Sequence, residues 1–169
     1  MIVNENRSFN SDVLIKGERI AKVATGISAA SNMKIVEAEG QYLLPGMIDD
    51  QVHFREPGLT HKGNIRSESR AALAGGITSF MEMPNVNPNT TTIEALEDKF
   101  QLGKNSSLAN YSFYLGATED NLEEIKRLDP TKHCGVKVFM GASTGTLLVE
   151  DPVALERIFS EAPTLIATH

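Results

Sequence analysis

Three features of the sequence predict an α/β fold built on a parallel sheet. From Met47 onward, short apolar runs alternate with stretches of helical spacing; the helical stretches carry start and stop signals; and the joining segments are mostly short. Five strands and four helices in strict alternation imply parallel neighbours joined by right-handed crossovers. On that pattern alone an open doubly wound sheet is the natural arrangement, because eight β/α units close a barrel and five do not. The glycine-rich phosphate fingerprint that such open folds often carry is missing from the first strand–helix turn.

Residues 1 to about 43 read as β structure without a helix. Val13–Ile15, a turn at Gly17-Glu18 and Ile20–Val23 make a hairpin; Ile27–Asn32 is a loop; Lys34–Ala38 gives another strand, which Gly40 turns toward Tyr42-Leu43-Leu44. So few short strands bury too little surface to stand as a domain. Pro45-Gly46 then breaks the chain, and Met47–Val52 reads as a short core strand. Ile65–Ala74 has helical spacing with Gly75-Gly76 as its stop, and Thr78–Met83 is the next strand, ended by Pro84. Thr91-Thr92-Ile93-Glu94 offers a capping box for a helix to about Leu102, closed by Gly103. Ala109–Leu115 is the third strand, and Thr118 is placed to cap a helix over Glu119–Leu128. Val136–Phe139 is the fourth. Asp151-Pro152 starts a helix to about Glu161, since proline loses nothing at the first helical position. Thr164–Thr168 is the fifth strand, followed by His169.

Composition excludes several classes. With 169 residues, 41% apolar and 22% charged, the chain is long and ordinary enough to bury a sizeable core. A net charge of -6 and the lack of any Lys/Arg run argue against a nucleic-acid surface. No apolar stretch approaches the roughly 20 residues of a membrane-spanning helix, and Met1–Arg7 lacks a signal-peptide layout. The single cysteine, Cys134, cannot form an internal disulfide, which suits a reducing compartment, the cytoplasm by default. It adjoins His133, but strand neighbours point to opposite faces, so the two do not make a nucleophile pair.

The reactive side chains gather at strand ends, where parallel α/β folds place their chemistry. His53, Arg55 and Glu56 follow the strand that begins at Met47, Asn85 follows the second, Lys137 lies within the fourth, and His169 ends the fifth. His53 and Arg55, two residues apart on an extended segment, share a side. A neutral imidazole can bind a metal, and a guanidinium fork can hold a carboxylate. Lys137 is flanked by Val136, Val138 and Phe139, a setting in which an ammonium must be paired, neutralised or modified. His61 and His133 sit in turn-like contexts without chemistry, and Gly141–Thr146 resembles a phosphate loop but lacks the following lysine, so it reads as a rim loop.

Leu43–Gly58 resembles the first-strand motif of the amidohydrolase superfamily, Pro-Gly-x-Ile-Asp-x-His-x-His, and its Arg55-Glu56-Pro57-Gly58 continuation resembles the dihydroorotase family specifically. Gly135-Val136-Lys137-Val138-Phe139 is similar to that family's segment bearing a carboxylated lysine. The resemblance implies an α/β fold in which residues 1–44 are part of a small β-sandwich and residues 45–169 are the first five strands of a (β/α)8 barrel. The chain would then be a fragment whose uncovered sheet edges favour self-association. It implies zinc, two ions per complete site bridged by carboxylated Lys137, with His53 and His169 as further ligands. Arg55 and Asn85 would hold the substrate's carboxylate. The expected reaction is the reversible cyclisation of N-carbamoyl-L-aspartate to dihydroorotate in pyrimidine biosynthesis, in a homo-oligomer that could associate with other enzymes of the pathway. Gln51 stands where the family's first metal histidine falls, and an amide oxygen is a poorer zinc ligand than imidazole. The family's remaining metal histidine and its general acid–base aspartate have no counterpart here, so little turnover is expected of these residues alone. The competing expectations are an allantoinase- or dihydropyrimidinase-like hydrolase, and a non-catalytic homologue that serves as an assembly partner.

Overall fold

The computed structural model describes residues 1–143 and 146–169, so residues 144 and 145 of the Gly141–Thr146 segment lie outside the described residues. The chain divides into two compact units, Met1–Gly46 and Met47–His169.

The first unit holds two antiparallel hairpins. β1 (Ile2–Asn4) pairs with β2 (Arg7–Phe9), and β3 (Asp12–Lys16) pairs with β4 (Arg19–Ala24) through a register shift at Leu14/Ile15. The β3–β4 hairpin is the expected one. The β1–β2 hairpin carries no glycine signal: Glu5 and Asn6 themselves take the left-handed conformation, at φ 51° and 59°, that a tight hairpin turn requires. The strand expected at Lys34–Ala38 does not form, and the one at Tyr42–Leu44 reduces to a single bridge between Leu43 and Ile2. Ile35 and Val36 are exposed. Their β-propensity counts for nothing without a neighbouring strand to pair with.

The second unit is a parallel sheet with helices. Its strands are β5 (Met47–Val52), β6 (Ile77–Glu82), β7 (Asn110–Gly116), β8 (Gly135–Val138) and β9 (Ile166–Thr168), and they lie side by side in that order. A doubly wound sheet reverses its order at a switch point; this one does not. The helices α1 (Ile65–Ala74), α2 (Ile93–Ser106), α3 (Leu122–Lys126) and α4 (Pro152–Glu161) separate the strands. All of them feed one apolar core: Ile65, Leu96, Ile125 and Ile158 meet Phe80, Phe113, Leu115, Val136 and Val138 in a single cluster. The helices therefore cover one face of the sheet, as in a barrel wall, and the open-sheet reading of the alternation is wrong. Each such buried aliphatic or aromatic side chain contributes about 1.5–3 kcal/mol.

Local chemistry explains most of the boundaries. Asn64 and Ser67 form a reciprocal capping box on α1, and Glu56 Oε2 accepts a further hydrogen bond from Ile65 N at 2.8 Å. Thr92 caps α2 by accepting from Ala95 N, one residue later than the Thr91–Glu94 capping box expected, so no reciprocal carboxylate bond forms. α2 runs past Gly103, which is no stop: a Cβ there would lie 2.6 Å from the Tyr111 ring, so glycine allows the helix to approach β7. α3 is shorter than expected because Thr118 does not cap it. The Thr118 hydroxyl donates to Asp120, and Asn121 instead bridges Thr118 N, Thr91 O and Gly116 O. Asp151 caps α4 as expected, with Pro152 at its first turn. β5 is an edge strand whose Met47 and Ile48 are exposed, contrary to the buried strand its apolar run suggests. Among the described residues no helix is long and apolar enough to cross a membrane.

Candidate functional site

Every predicted site residue in the second unit lies in a strand or just beyond the C-terminal end of one. His53 follows β5 directly, Asn85 lies three residues past β6, Lys137 is the third residue of β8, and His169 follows β9. β8 alternates strictly in its packing: Val136 and Val138 enter the core beneath the helices, so Lys137 points to the other face. It does not reach bulk water. Lys137 is 1% exposed, its Nζ lies 5.0 Å from the Phe139 ring centroid, and it forms no ion pair among the described residues. Burial lowers its pKa from the ordinary lysine value, which favours the neutral, nucleophilic amine.

His53, Arg55 and Asn85 form one hydrogen-bonded group. His53 Nδ1 lies 2.8 Å from Asn85 Oδ1, and Arg55 donates from its guanidinium to Asn85 O at 3.0 Å. The Asn85 Oδ1 accepts only, so Nδ1 carries the proton and Nε2 keeps its lone pair. Burial lowers the pKa of His53, the neighbouring Arg55 charge adds to that effect, and the Asn85 hydrogen bond opposes it. Lys137 and His169 lie near enough to His53 to contribute, more weakly, to the same lowering. The three predicted metal-binding groups thus share one electrostatic neighbourhood. His169 is tied down by its backbone: its N–H donates to Val138 O at 3.1 Å and its carbonyl accepts from Met140 N at 2.7 Å. The His169 ring centroid is 6.0 Å from that of Phe139.

The extended segment expected at His53–Arg55 is not what forms. Arg55 adopts φ 67°, in the left-handed region, yet both side chains still converge on Asn85. Gln51 is exposed near the end of β5; its backbone N–H donates to Asp49 Oδ1 at 3.2 Å, and its side chain makes no hydrogen bond among the described residues. Among the described residues no three His, Cys, Asp or Glu side chains are grouped to hold a metal ion. The expected donor set is two imidazoles and a lysine, a composition that becomes anionic only through modification of the amine. The donors present fit a divalent ion in that form: a histidine whose lowered pKa favours the neutral ring, its Nε2 turned from Asn85, and a buried amine with no carboxylate to pair it among the described residues.

Sequence reasoning missed Glu82 and Lys99. Glu82 ends β6 on the helix-covered side and is 0% exposed; Lys99 on α2 is 1% exposed, and their charged atoms lie 2.6 Å apart. Lys99 Nζ also donates to Met83 O at 3.2 Å and sits 4.9 Å from the Phe113 ring. Glu82 Oε1 accepts from Arg55 N at 3.1 Å. Burial raises the Glu82 pKa and lowers that of Lys99, and each partner's charge opposes the shift. The available signal was a pair of charges at positions of apolar period, Glu82 two after Phe80 and Lys99 three after Leu96. His133 and Cys134 lie just before β8 rather than in a strand, so the strand alternation expected of them does not apply. His133 is buried and accepts from Asp129 N, while burial pushes the Cys134 thiol up to about 11.

Polar groups arrayed at the C-terminal ends of sequential parallel strands are the arrangement of a β/α barrel, and solved structures share this fold. The L-hydantoinase (dihydropyrimidinase) of Arthrobacter aurescens superposes on 99% of this chain and 38% of its own with a TM-score of 0.90 at 26% identity. The sheet is thus part of a (β/α)8 barrel. The dihydro-orotase-like family profile matches residues 40–147, and the chain belongs to that family. The dihydroorotase of Methanosarcina acetivorans is 36% identical over 154 residues, 90% of this chain and 32% of its own length. The allantoinase of Deinococcus radiodurans is 34% identical over 144 residues, 85% of this chain and 32% of its own length. The chain spans about a third of the length of the curated relatives it matches.

Proposed function

We propose that this chain supplies part of the active site of a zinc-dependent dihydroorotase, acting on N-carbamoyl-L-aspartate and dihydroorotate in pyrimidine biosynthesis in the cytosol. Residues 1–44 would belong to the accompanying small β-sandwich. The observation that carries the reading is Lys137, a buried amine without a carboxylate partner among the described residues, in the same charged neighbourhood as His53 and His169. In this reading the neutral Lys137 amine adds carbon dioxide, releases a proton and becomes a carbamate, an anionic ligand. His53 through Nε2, His169 and carboxylated Lys137 would hold the metal. When bound, zinc supplies a Lewis acid that polarises the cyclic amide and lowers the pKa of water. Arg55 and Asn85 bind and orient the substrate carboxylate: Arg55 has N–H donors beyond the one given to Asn85 O, and the Asn85 amide NH2 remains after Oδ1 meets His53. That pair favours a carboxylated substrate over the carboxylate-free rings of hydantoinases.

Gln51 is the residue that favours a second reading, a non-catalytic homologue acting in an assembly. Metal analysis separates the two. The protein carrying this chain is expected to bind zinc, to show a carbamate signal after exposure to 13C-bicarbonate, and to lose both on Lys137→Ala. A protein without zinc or carbamate would be the assembly homologue. Loss of preference for carboxylated substrates on Arg55→Ala would support the dihydroorotase assignment over an allantoinase.

A further inference from the structure

Three candidates stand outside the residues already assigned. The Glu97–Lys132–His133 cluster is a surface ion pair backed by a structural histidine, and the exposed apolar residues of β5 have nothing in the structure to say what covers them. The third is the buried couple of Glu82 and Lys99. We infer that this couple is a positioning device that fixes the backbone carrying His53 and Arg55, an inference that rests on the functional reading above.

The argument starts from a cost. Removing two charges from water is unfavourable, and a buried ion pair is often no more stable than apolar residues of the same volume. Stability alone therefore does not explain why Glu82 and Lys99, 0% and 1% exposed, stand in a wall otherwise built from Phe80, Leu96 and Phe113. What the carboxylate does besides pairing explains it. β5 ends at Val52, and beyond it the backbone N–H of Arg55 donates to the Glu82 carboxylate, at 3.1 Å, rather than to another strand. Arg55 is a non-glycine residue in the left-handed region, which persists only where its surroundings hold it. Glu82 grips this turn through the main chain, and Asn85 grips the His53 and Arg55 side chains from the same loop edge. Lys99 holds the carboxylate in place, by its contact at 2.6 Å and its own anchor on Met83 O. Glu82 and Lys99 touch no substrate; they act through His53 and Arg55.

The test compares two double variants of the full chain. Glu82→Gln with Lys99→Met keeps an acceptor for the turn and leaves no unpaired charge. Glu82→Leu with Lys99→Met removes the acceptor as well. In the Leu/Met protein, amide hydrogen exchange at Arg55 should accelerate by about tenfold or more relative to wild type, with protection of the β7 and β8 amides retained, whereas the Gln/Met protein should stay within about threefold. Zinc affinity should fall roughly 10–100-fold in Leu/Met, as for loss of an outer-shell support, and recover in Gln/Met. Unchanged exchange at Arg55 in Leu/Met would overturn the inference, as would equal acceleration in both proteins. A wild-type protein that takes up no zinc sinks the metal reading instead, and the exchange comparison still decides the role of the couple.

Discussion

Lys99, on α2, and Lys137, in β8, are both 1% exposed, yet they are housed in opposite ways. Lys99 lies on the helix-covered side with a carboxylate at 2.6 Å and a carbonyl acceptor, inside a closed wall. Lys137 projects from the other face beside an aromatic ring, with no carboxylate partner among the described residues. The first amine is satisfied by the protein, and its removal strands a charge. The second is not, and is suited to chemical modification and to a metal. Burial alone does not mark a functional lysine; burial without a partner does.

The largest effect should come from breaking the satisfied side. Lys99→Met leaves the Glu82 carboxylate buried alone and should cost about 3–5 kcal/mol in urea denaturation. Lys137→Met removes a buried amine that lacks an ionic partner, and stability should stay within about 1 kcal/mol of the parent. Equal losses in the two variants would erase the distinction. Gly103→Ala tests how closed the wall around Lys99 is: the added Cβ would meet Tyr111 at 2.6 Å, so overpacking should outweigh the gain in helix propensity, for a net loss of about 1–3 kcal/mol in the same assay.

A smaller effect should come from pH. Glu124 Oε2 accepts from Ile93 N at the start of α2, and this hydrogen bond, then Arg127, holds the Glu124 pKa below its ordinary 4.5. Because the folded value is the depressed one, the contribution is full above 4.5 and is lost as pH falls through the lower folded value. Glu124→Gln should therefore flatten the acid limb of the stability profile, by up to about 1 kcal/mol. The smallest readout is chemical: with its thiol pushed up to about 11 by burial, Cys134 should react slowly with thiol reagents at neutral pH until the chain unfolds.

The sequence by itself determined the β/α alternation, the cap at Asp151, and the identity of the candidate site residues His53, Arg55, Asn85, Lys137 and His169, because period, capping and strand-end position are local properties. Tertiary structure alone decided the rest. Whether five strands run in sequential order, whether Ile35 and Val36 find a strand to pair with, and why α2 passes through Gly103 depend on what each segment meets. The Glu82–Lys99 couple belongs to the same class. Its two charges are 17 positions apart in the sequence, and only the packing of α2 against the sheet brings them together and aims the carboxylate at the turn after β5.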